Sequence, residues 1–591
     1  MSLNQELSDL FRTLAALMDI KGESTFKAIA FTKVSRILRE STADLREAVA
    51  AGKLKELEGI GPSSQKIIEQ FVKTGRSTDF DEVAASVPAG LIPMMEIPSL
   101  GPKTIAMLWK ERGITTLEEL VKAIDEKKLD GLKGIGEKKI ESIKQGIALR
   151  AQAKGRIGIV EALPIGQSLL DRLRKISVVE MAEIAGSLRR RRETVGDLDL
   201  VCALKDDSAG PGVASEFVKF PEVQRVLAQG ATKASVLTMG GLQVDLRMVP
   251  ASSFGAALLY FTGSKEHNVR LRGLALDQGM TLNEWGLYRL AEHEKAEKKS
   301  GFAPALKSLA GKNEKEIYAA LGMDWIEPEL REDRGEIAAA IAHKLPNLIL
   351  QKDIRGDLHS HTTASDGQNS VIEMAEAAKA LGYEFLAITD HSKSQVIANG
   401  LDAARLMKHV AEIHKAAAQV KGITIFAGCE VDILVDGRLD FEDAVLAELD
   451  FVVASPHVSL KQESEKATDR IVRAIENRYV NVIGHPTGRL IFSREGLPLS
   501  FPRIFKAAAE TGTALEINAG YPRLDLNDVN ARAALAAGVK LSINTDAHSI
   551  DGFAEMQYGV QVARRAWATK ADVINCMTAG QLKSFITKKR G

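Results

Sequence analysis

From residue 354 onward the sequence repeats one pattern seven times: a short apolar run, then an alanine- and charge-rich stretch of helical character. The runs are DIRGDLH, EFLAITD, ITIFAGCEVDI, LDFVVASPH, YVNVIGH, TALEINAG and KLSINTDAH. Strands alternating with helices of this length predict a parallel sheet, and seven such units predict a distorted (β/α)7 barrel. Nine residues of metal-ligand type sit at, or just beyond, the downstream ends of these runs: His359, His361, Asp366, His391, Glu430, His457, His485, Asp546 and His548. They include six of the chain's eleven histidines. Barrel enzymes build their sites at the C-terminal strand ends. Residues i and i+2 of a strand share a face, so the pairs His359/His361 and Asp546/His548 can each grip one ion. Imidazole and carboxylate without thiolate suit Zn, Mn or Fe. Nine ligands exceed what one ion needs, so two to three ions are expected. Clustered ions activate water and clamp an in-line displacement at phosphorus. Arg489 either adds charge toward a phosphate or forms a salt bridge. His409 and His414, in the helical stretch LMKHVAEIHKAAAQV, are expected to pack or face solvent.

Composition bounds the rest. The 591 residues divide into several domains. Basic and acidic side chains balance at 78 each, so bulk charge does not announce a nucleic-acid partner and local clusters must. Three scattered cysteines without a CxxC pair fit a reducing compartment. The start lacks the pattern of a signal peptide, and no run is long and apolar enough for a membrane span. We expect a cytoplasmic, nucleoid-associated monomer with no membrane partner.

Residues 1–155 carry helical periodicity, as in LSDLFRTLAALMDI and FKAIAFTKVSRIL. A glycine turn leading into a helix start recurs three times: LEGIGPSSQKI, IPSLGPKTIAML and LKGIGEKKIESI. The period then changes. Strand-like runs EMAEIAG, LDLVCAL, VLTMGG and QVDLRMV form a mixed α/β piece. Asp197 and Asp199 are again i and i+2 on a strand, and Asp245 lies on another. Three carboxylates on neighbouring strands form an oxygen-only site suited to Mg²⁺ or Mn²⁺ with substrate phosphates. Gly186 and Ser187, before a helix start, offer backbone N–H groups to a phosphate, and Arg190 adds a charge-assisted clamp. The Arg189–Arg192 run also reads as a solvated face.

Two resemblances follow from these motifs. DLHSHT, TDHS, AGCEVD, SPH, GHPTGR and NTDAHS resemble the full set of a PHP (polymerase and histidinol phosphatase) domain across about 351–591. The resemblance implies three ions: one on His359, His361, Glu430 and Asp546; a second bridged by Glu430 with His457 and His485; a third on Asp366, His391 and His548. Residues 1–325 resemble a family X DNA polymerase. GSLRRRRETVGDLDLV matches its catalytic strand, with Gly196 ahead of the triad Asp197, Asp199 and Asp245. Asp245 would be the base for the primer hydroxyl. YFTGSKEHNVRLR matches its nucleotide-selecting segment, which places Tyr260, Phe261 and Gly263 by the incoming nucleotide. It also places Asn268 at the minor-groove edge and Arg272 on the template side. The glycine repeats resemble helix-hairpin-helix motifs, whose backbone amides hold DNA phosphates. Their contacts would be Gly59, Gly61, Gly101, Lys103, Gly134, Gly136 and Lys138, with Lys139 beside them. Ser99, Arg191 and Lys265 depart from the family pattern. Ile67 takes the place of the Schiff-base lysine, and the neighbouring Lys66 points about 100° away around the helix, so a lyase activity is not implied.

The expected architecture is therefore multidomain α/β. Residues 1–82 are a helical domain with a helix-hairpin-helix, and 83–155 a second helical DNA-binding piece. Residues 156–250 form a nucleotidyltransferase palm of mixed sheet and helices, 251–325 a nucleotide-selecting subdomain, 326–350 a linker and 351–591 the PHP barrel. The expected activities are template-directed gap filling with dNTPs on gapped or nicked DNA and a 3′→5′ exonuclease that also trims 3′ ends or abasic sites, in base excision repair. The alternative is an end-processing phosphoesterase whose polymerase-like half only grips DNA. A DNA-end scaffold and a small-molecule phosphatase fit less of the chain.

Overall fold

The computed structural model describes residues 3–22, 25–40, 45–51, 54, 59–95, 97, 100–132, 134–153, 155–300 and 306–590. Ser99 lies outside them. They divide into two compact units, one of residues 1–154 with 492–494 and one of the rest.

The first unit is helical, with principal helices α1 (Leu3–Lys21), α2 (Thr25–Glu40), α3 (Pro62–Thr74), α4 (Pro102–Arg112), α5 (Leu117–Asp125) and α6 (Glu137–Ala153). Leu7, Phe11, Leu14 and Met18 recur on one face of α1 at helical spacing and are buried against Phe31, Val34 and Leu38 of α2. The three glycine repeats lead into α3, α4 and α6. Gly61 and Gly101 are the N-caps of α3 and α4, each followed by a proline, whose missing N–H costs nothing at a helix start. Gly59 and Gly134 take φ near +88° and +86°, where a side chain would be strained. Ile67 is buried in the core, whereas Lys66 is exposed and sits 3.6 Å from Asp79.

The second unit opens with α7 (Ile159–Arg174). A five-stranded sheet follows: β1 (Val179–Ile184), the one-turn helix α8 (Gly186–Arg189), then β2 (Asp197–Leu204), β3 (Val223–Gln229), β4 (Lys233–Thr238) and β5 (Gln243–Pro250). The spatial order is β1-β2-β5-β4-β3, with β2 and β5 parallel and the other pairs antiparallel. β2 and β5 alternate apolar and polar residues, so Leu198, Leu200, Val244 and Leu246 enter the core and the aspartates face away from it. Next come α9 (Phe254–Thr262), α10 (Lys265–Asp277), the hairpin β6 (Met280–Asn283) and β7 (Gly286–Arg289), α11 (Glu314–Ala320) and α12 (Glu336–Ile341). Two guanidiniums grip Glu314: Arg331, fully buried, at 2.7 Å, and Arg189 at 2.6 Å.

Seven parallel strands then run in sequence order: β8 (Gly356–Asp357), β9 (Phe385–Ile388), β10 (Thr424–Asp432), β11 (Phe451–Ser455), β12 (Val482–Ile483), β13 (Ala514–Asn518) and β14 (Leu541–Asn544). They form the distorted (β/α)7 barrel. Among its helices are α13 (Val371–Ala380), α14 (Ala403–Gln419), α15 (Ser464–Glu476), α16 (Phe501–Thr511), α17 (Asp528–Ala536), α18 (Met556–Arg565) and α19 (Ala579–Arg590). Phe385, Phe426, Phe451 and Val482 fill the interior, and Leu582 and Ile586 of α19 pack against them. The first and last strands do not form a ladder. A single bridge between Ser360 and Ala547 joins them, with the His361 N–H donating to the Ala547 carbonyl at 2.8 Å. Side chains close the rest of this seam. Asp357 accepts from Thr545 Oγ1, and Asn575 donates to the carbonyls of Gly356 and Ile543.

Candidate metal centres

All nine barrel residues converge. Three groups of ligand atoms lie close enough to share an ion: His359, His361, Glu430 and Asp546; His361, Asp366, His391 and His548; and His391, Glu430 and His457. The first is the set expected for one ion. The other two regroup the expected sets: His361 joins the third, and His391 rather than His485 joins Glu430 and His457. His485 stays in the cluster, with Nε2 at 2.9 Å from Glu430 Oε1.

The donor atoms fit cations. His359 Nε2, both ring nitrogens of His361, Glu430 Oε2 and Asp546 Oδ1 are buried without a well-aligned hydrogen bond among the described residues. They crowd one another instead, with Asp546 Oδ1 3.0 Å from His361 Nε2 and Glu430 Oε2 2.8 Å from His391 Nδ1, an arrangement that an ion between them would satisfy. Electrostatics agree. Burial works to raise the Glu430 carboxyl, yet His457, His359 and His391 hold it well below the usual carboxylate range. Asp546 is likewise held well below its usual range despite burial, chiefly by His359 and His361. Burial, with His548 and His391 nearby, pushes His361 down to about 4, so it stays neutral and able to ligate.

The spacing of His and Asp did not reveal the residues behind the ligands. Glu516, fully buried on β13, lies 2.9 Å from His359 Nδ1 and accepts from the His485 backbone N–H at 2.6 Å. It fixes which ring nitrogen His359 turns to the cluster. Asp432 does the same for His457, 2.7 Å from Nδ1, and accepts from Gln395. Asp390 accepts from Thr362, Ser365 and His409, bracing the loop that carries Asp366. His409 is thus a packing residue behind the site, and His414 is exposed. In the sequence these carboxylates appear only as acids inside apolar runs.

Arg489 takes the salt-bridge alternative. It meets Glu193 through two bonds of 3.1 and 2.7 Å and is largely buried. Arg523 is the guanidinium nearer the cluster, 3.5 Å from Asp546.

The palm aspartates occupy adjoining strands. Asp199 and Asp245 are direct register partners across β2 and β5, and Asp197 lies two residues away on the same face. Burial first, then the charges of Asp197 and Asp245, push Asp199 up to about 7. A site that repels its own carboxylates is one that a divalent cation would stabilise. Asp245 is shifted the other way. Burial would raise it, but Lys233 at 2.8 Å, Ser235 and Gln243 hold it low. Among the described residues the three carboxylates do not close to single-ion spacing; Asp245 is drawn toward Lys233.

Gly186 has φ +63°, and a Cβ there would sit 2.3 Å from Asp199 Oδ2. The turn carrying Ser187 can lean on β2 only with glycine at this position. Arg190, expected as a phosphate clamp, is spent on protein partners: its Nε meets Glu332 at 3.1 Å, and its Nη1 donates to the Thr262 carbonyl. The Arg189–Arg192 run is therefore not simply a solvated face, since Arg189 is bound to Glu314 and Thr262. Gly196 lies one residue before β2. Tyr260 is exposed near the end of α9, edge-to-face with Phe261 at 5.2 Å. Asn268 donates to the Tyr260 carbonyl at 2.7 Å. Gly263, at φ +68°, lies between α9 and α10. Arg272, Lys103 and Lys138 are exposed.

Family comparisons run the length of the chain. Residues 2–77 match a helix-hairpin-helix domain, 92–148 a SAM-like helix-hairpin-helix tandem, 257–332 the DNA polymerase beta thumb, and 357–519 a PHP domain. The DNA polymerase lambda of Arabidopsis thaliana is 26% identical over 56% of this chain and 62% of its own. A probable phosphatase of Thermoanaerobacter sp. (strain X514) is 29% identical over 40% of this chain and 95% of its own. The DNA polymerase/3′-5′ exonuclease PolX of Bacillus subtilis (strain 168) is 36% identical across 99% of both chains. Among the described residues no helix is long and apolar enough to cross a membrane. With a polymerase thumb and a PHP barrel in one continuous match, this chain belongs to the PolX family, family X DNA polymerases that carry a C-terminal PHP domain.

Proposed function

We propose that this chain is a template-directed DNA polymerase that fills gaps with dNTPs and, through its barrel, a 3′→5′ exonuclease, acting as a monomer on gapped or nicked DNA in base excision repair. The observation that carries the reading is the presence, in one compact unit, of two separate sets of candidate cation ligands with different donors. One is the oxygen-only set Asp197, Asp199 and Asp245. The other is the imidazole-carboxylate set from His359 to His548.

In the palm, Asp197 and Asp199 would hold Mg²⁺ or Mn²⁺, and Asp245 would take the proton of the primer hydroxyl. The amides of Gly186 and Ser187 would bind the departing phosphates, while Tyr260, Phe261, Gly263 and Asn268 line the nucleotide side and Arg272 meets the template. In the barrel, the nine ligands would hold two to three Mn²⁺, Zn²⁺ or Fe ions. Bound there, the ions supply an activated water and neutralise charge on the scissile phosphate. Glu516 and Asp432 hold the imidazoles in orientation. The amides at Gly59, Gly61, Gly101, Gly134 and Gly136, with Lys103 and Lys138, would grip DNA phosphates without reading sequence.

The test is one labelled gapped duplex with Mg²⁺ or Mn²⁺, with and without dNTPs. Extension should vanish in Asp197→Ala and survive in His359→Ala; degradation should do the reverse. Loss of both activities in either variant would refute two independent sites.

A further inference from the structure

The turn that leans on Asp199 is held from the barrel. The Arg190 N–H closes that turn on the Gly186 carbonyl at 3.3 Å. The carbonyl of the same residue accepts from Arg565 Nη1 at 2.7 Å. Arg565 ends α18 of the barrel and is 3% exposed. It also grips Glu332 at 3.0 Å and Asp528, at the start of α17, at 2.8 Å. Glu332 is the carboxylate that binds the Arg190 guanidinium, and that guanidinium donates to the Thr262 carbonyl, one residue before Gly263. At the other end of the segment, Glu193 is held by Arg489 of the barrel. The stretch from Gly186 to Glu193 is thus fastened to the barrel at its middle and at its C-terminal end, by bonds that do not touch the nuclease ligands.

We propose that Arg565 is a positioning residue of the polymerase site: a barrel side chain that fixes the phosphate-binding turn against Asp199 and ties it, through Glu332 and Arg190, to the nucleotide-selecting segment. An ordinary interface ion pair would join two surfaces and leave either site indifferent. Arg565 instead donates to a main-chain carbonyl of the turn and shares its carboxylate with that turn's own arginine. Removing it frees the Arg190 peptide and leaves Glu332 to Arg190 and Arg192 alone. The turn can then drift from Asp199, and the amides meant for the nucleotide's phosphates lose their aim. Lysine keeps the charge but cannot serve the Arg190 carbonyl, Glu332 and Asp528 with one planar fork.

The inference rests on the polymerase reading, and the experiment separates the two. Full-length wild type, Arg565→Met, Arg565→Lys, Glu332→Gln and the Arg565→Met/Glu332→Gln double variant are compared in single-nucleotide gap filling and in degradation of single-stranded DNA. Thermal midpoints are measured alongside. In Arg565→Met the KM for dNTP should rise and kcat/KM fall about 10- to 100-fold, with degradation unchanged. Arg565→Lys should recover part of the loss, and the double variant should be no worse than the worse single one. Unchanged gap-filling kinetics in Arg565→Met would overturn the inference. So would a parallel fall of extension and degradation that follows the thermal midpoint. If Arg565→Met does not fold, unchanged kinetics in Arg565→Lys and Glu332→Gln would overturn it equally. A wild-type chain that degrades DNA and incorporates nothing would instead overturn the polymerase reading itself.

Discussion

Adding one methyl group at Gly186 should disable synthesis and leave degradation intact. At φ +63° an L residue costs ~1–2 kcal/mol. The new Cβ would also lie 2.3 Å from Asp199 Oδ2, where forcing in an extra carbon costs ~1–3 kcal/mol. If nothing yields, Gly186→Ala loses roughly 2–5 kcal/mol of stability by those two costs. The carboxylate is the softer partner, so Asp199 should rotate away. The stability loss then falls toward the backbone cost of ~1–2 kcal/mol, while Asp199 leaves its place opposite Asp245. Incorporation on gapped DNA should drop by about 100-fold or more, since a misplaced catalytic group costs that much. Urea unfolding gives the stability cost and the nuclease serves as internal control. An Asp199→Ala background isolates the contact: there Gly186→Ala should cost only its backbone share. Gly186→Ala with wild-type incorporation would refute the reasoning, as would a stability cost well above the backbone share in the Asp199→Ala background.

The pH behaviour of the metal-free protein follows from Asp199. Its pKa rises from 3.8 to about 7 on folding, so the folded state holds an extra proton between those values and stability falls as pH rises through that window. In chelator, Asp199→Asn should be more stable than wild type above pH 7, with the gap closing near pH 4; urea midpoints against pH check this. Glu516→Gln should weaken metal retention in the barrel by about 10- to 100-fold, read by competition with a chelator, while extension is unaffected. Glu314→Gln unpairs the buried Arg331 and weakens the Arg189 contact, so it should cost ~3–5 kcal/mol in urea unfolding.

The barrel was legible because each apolar run ends in a ligand and the helices between keep their period. The palm strands were legible where one face is buried, as in LDLVCAL and QVDLRMV. The strand Val223–Gln229 was not, because it lies at the sheet edge with nearly every residue exposed and shows no apolar alternation. Spacing revealed the ligands but not Glu516 or Asp432, whose role appears only when His359 and His457 are brought beside them. Arg190 and Arg489 show the same limit from the other side. A cation near a phosphate motif suggests a phosphate, and only the tertiary structure supplies Glu332 and Glu193, 142 and 296 residues away.

The open seam of the barrel gives the ligand cluster a second significance. His359 and His361 follow the first strand, Asp546 and His548 follow the last, and two of the three ligand groups draw on both. Any ion in those groups is also a clasp, a coordinate cross-link between chain segments some 185 residues apart that the backbone joins by one bridge. Loading the site should therefore slow amide exchange along both lips, so that the same ions that make the barrel reactive also keep it shut.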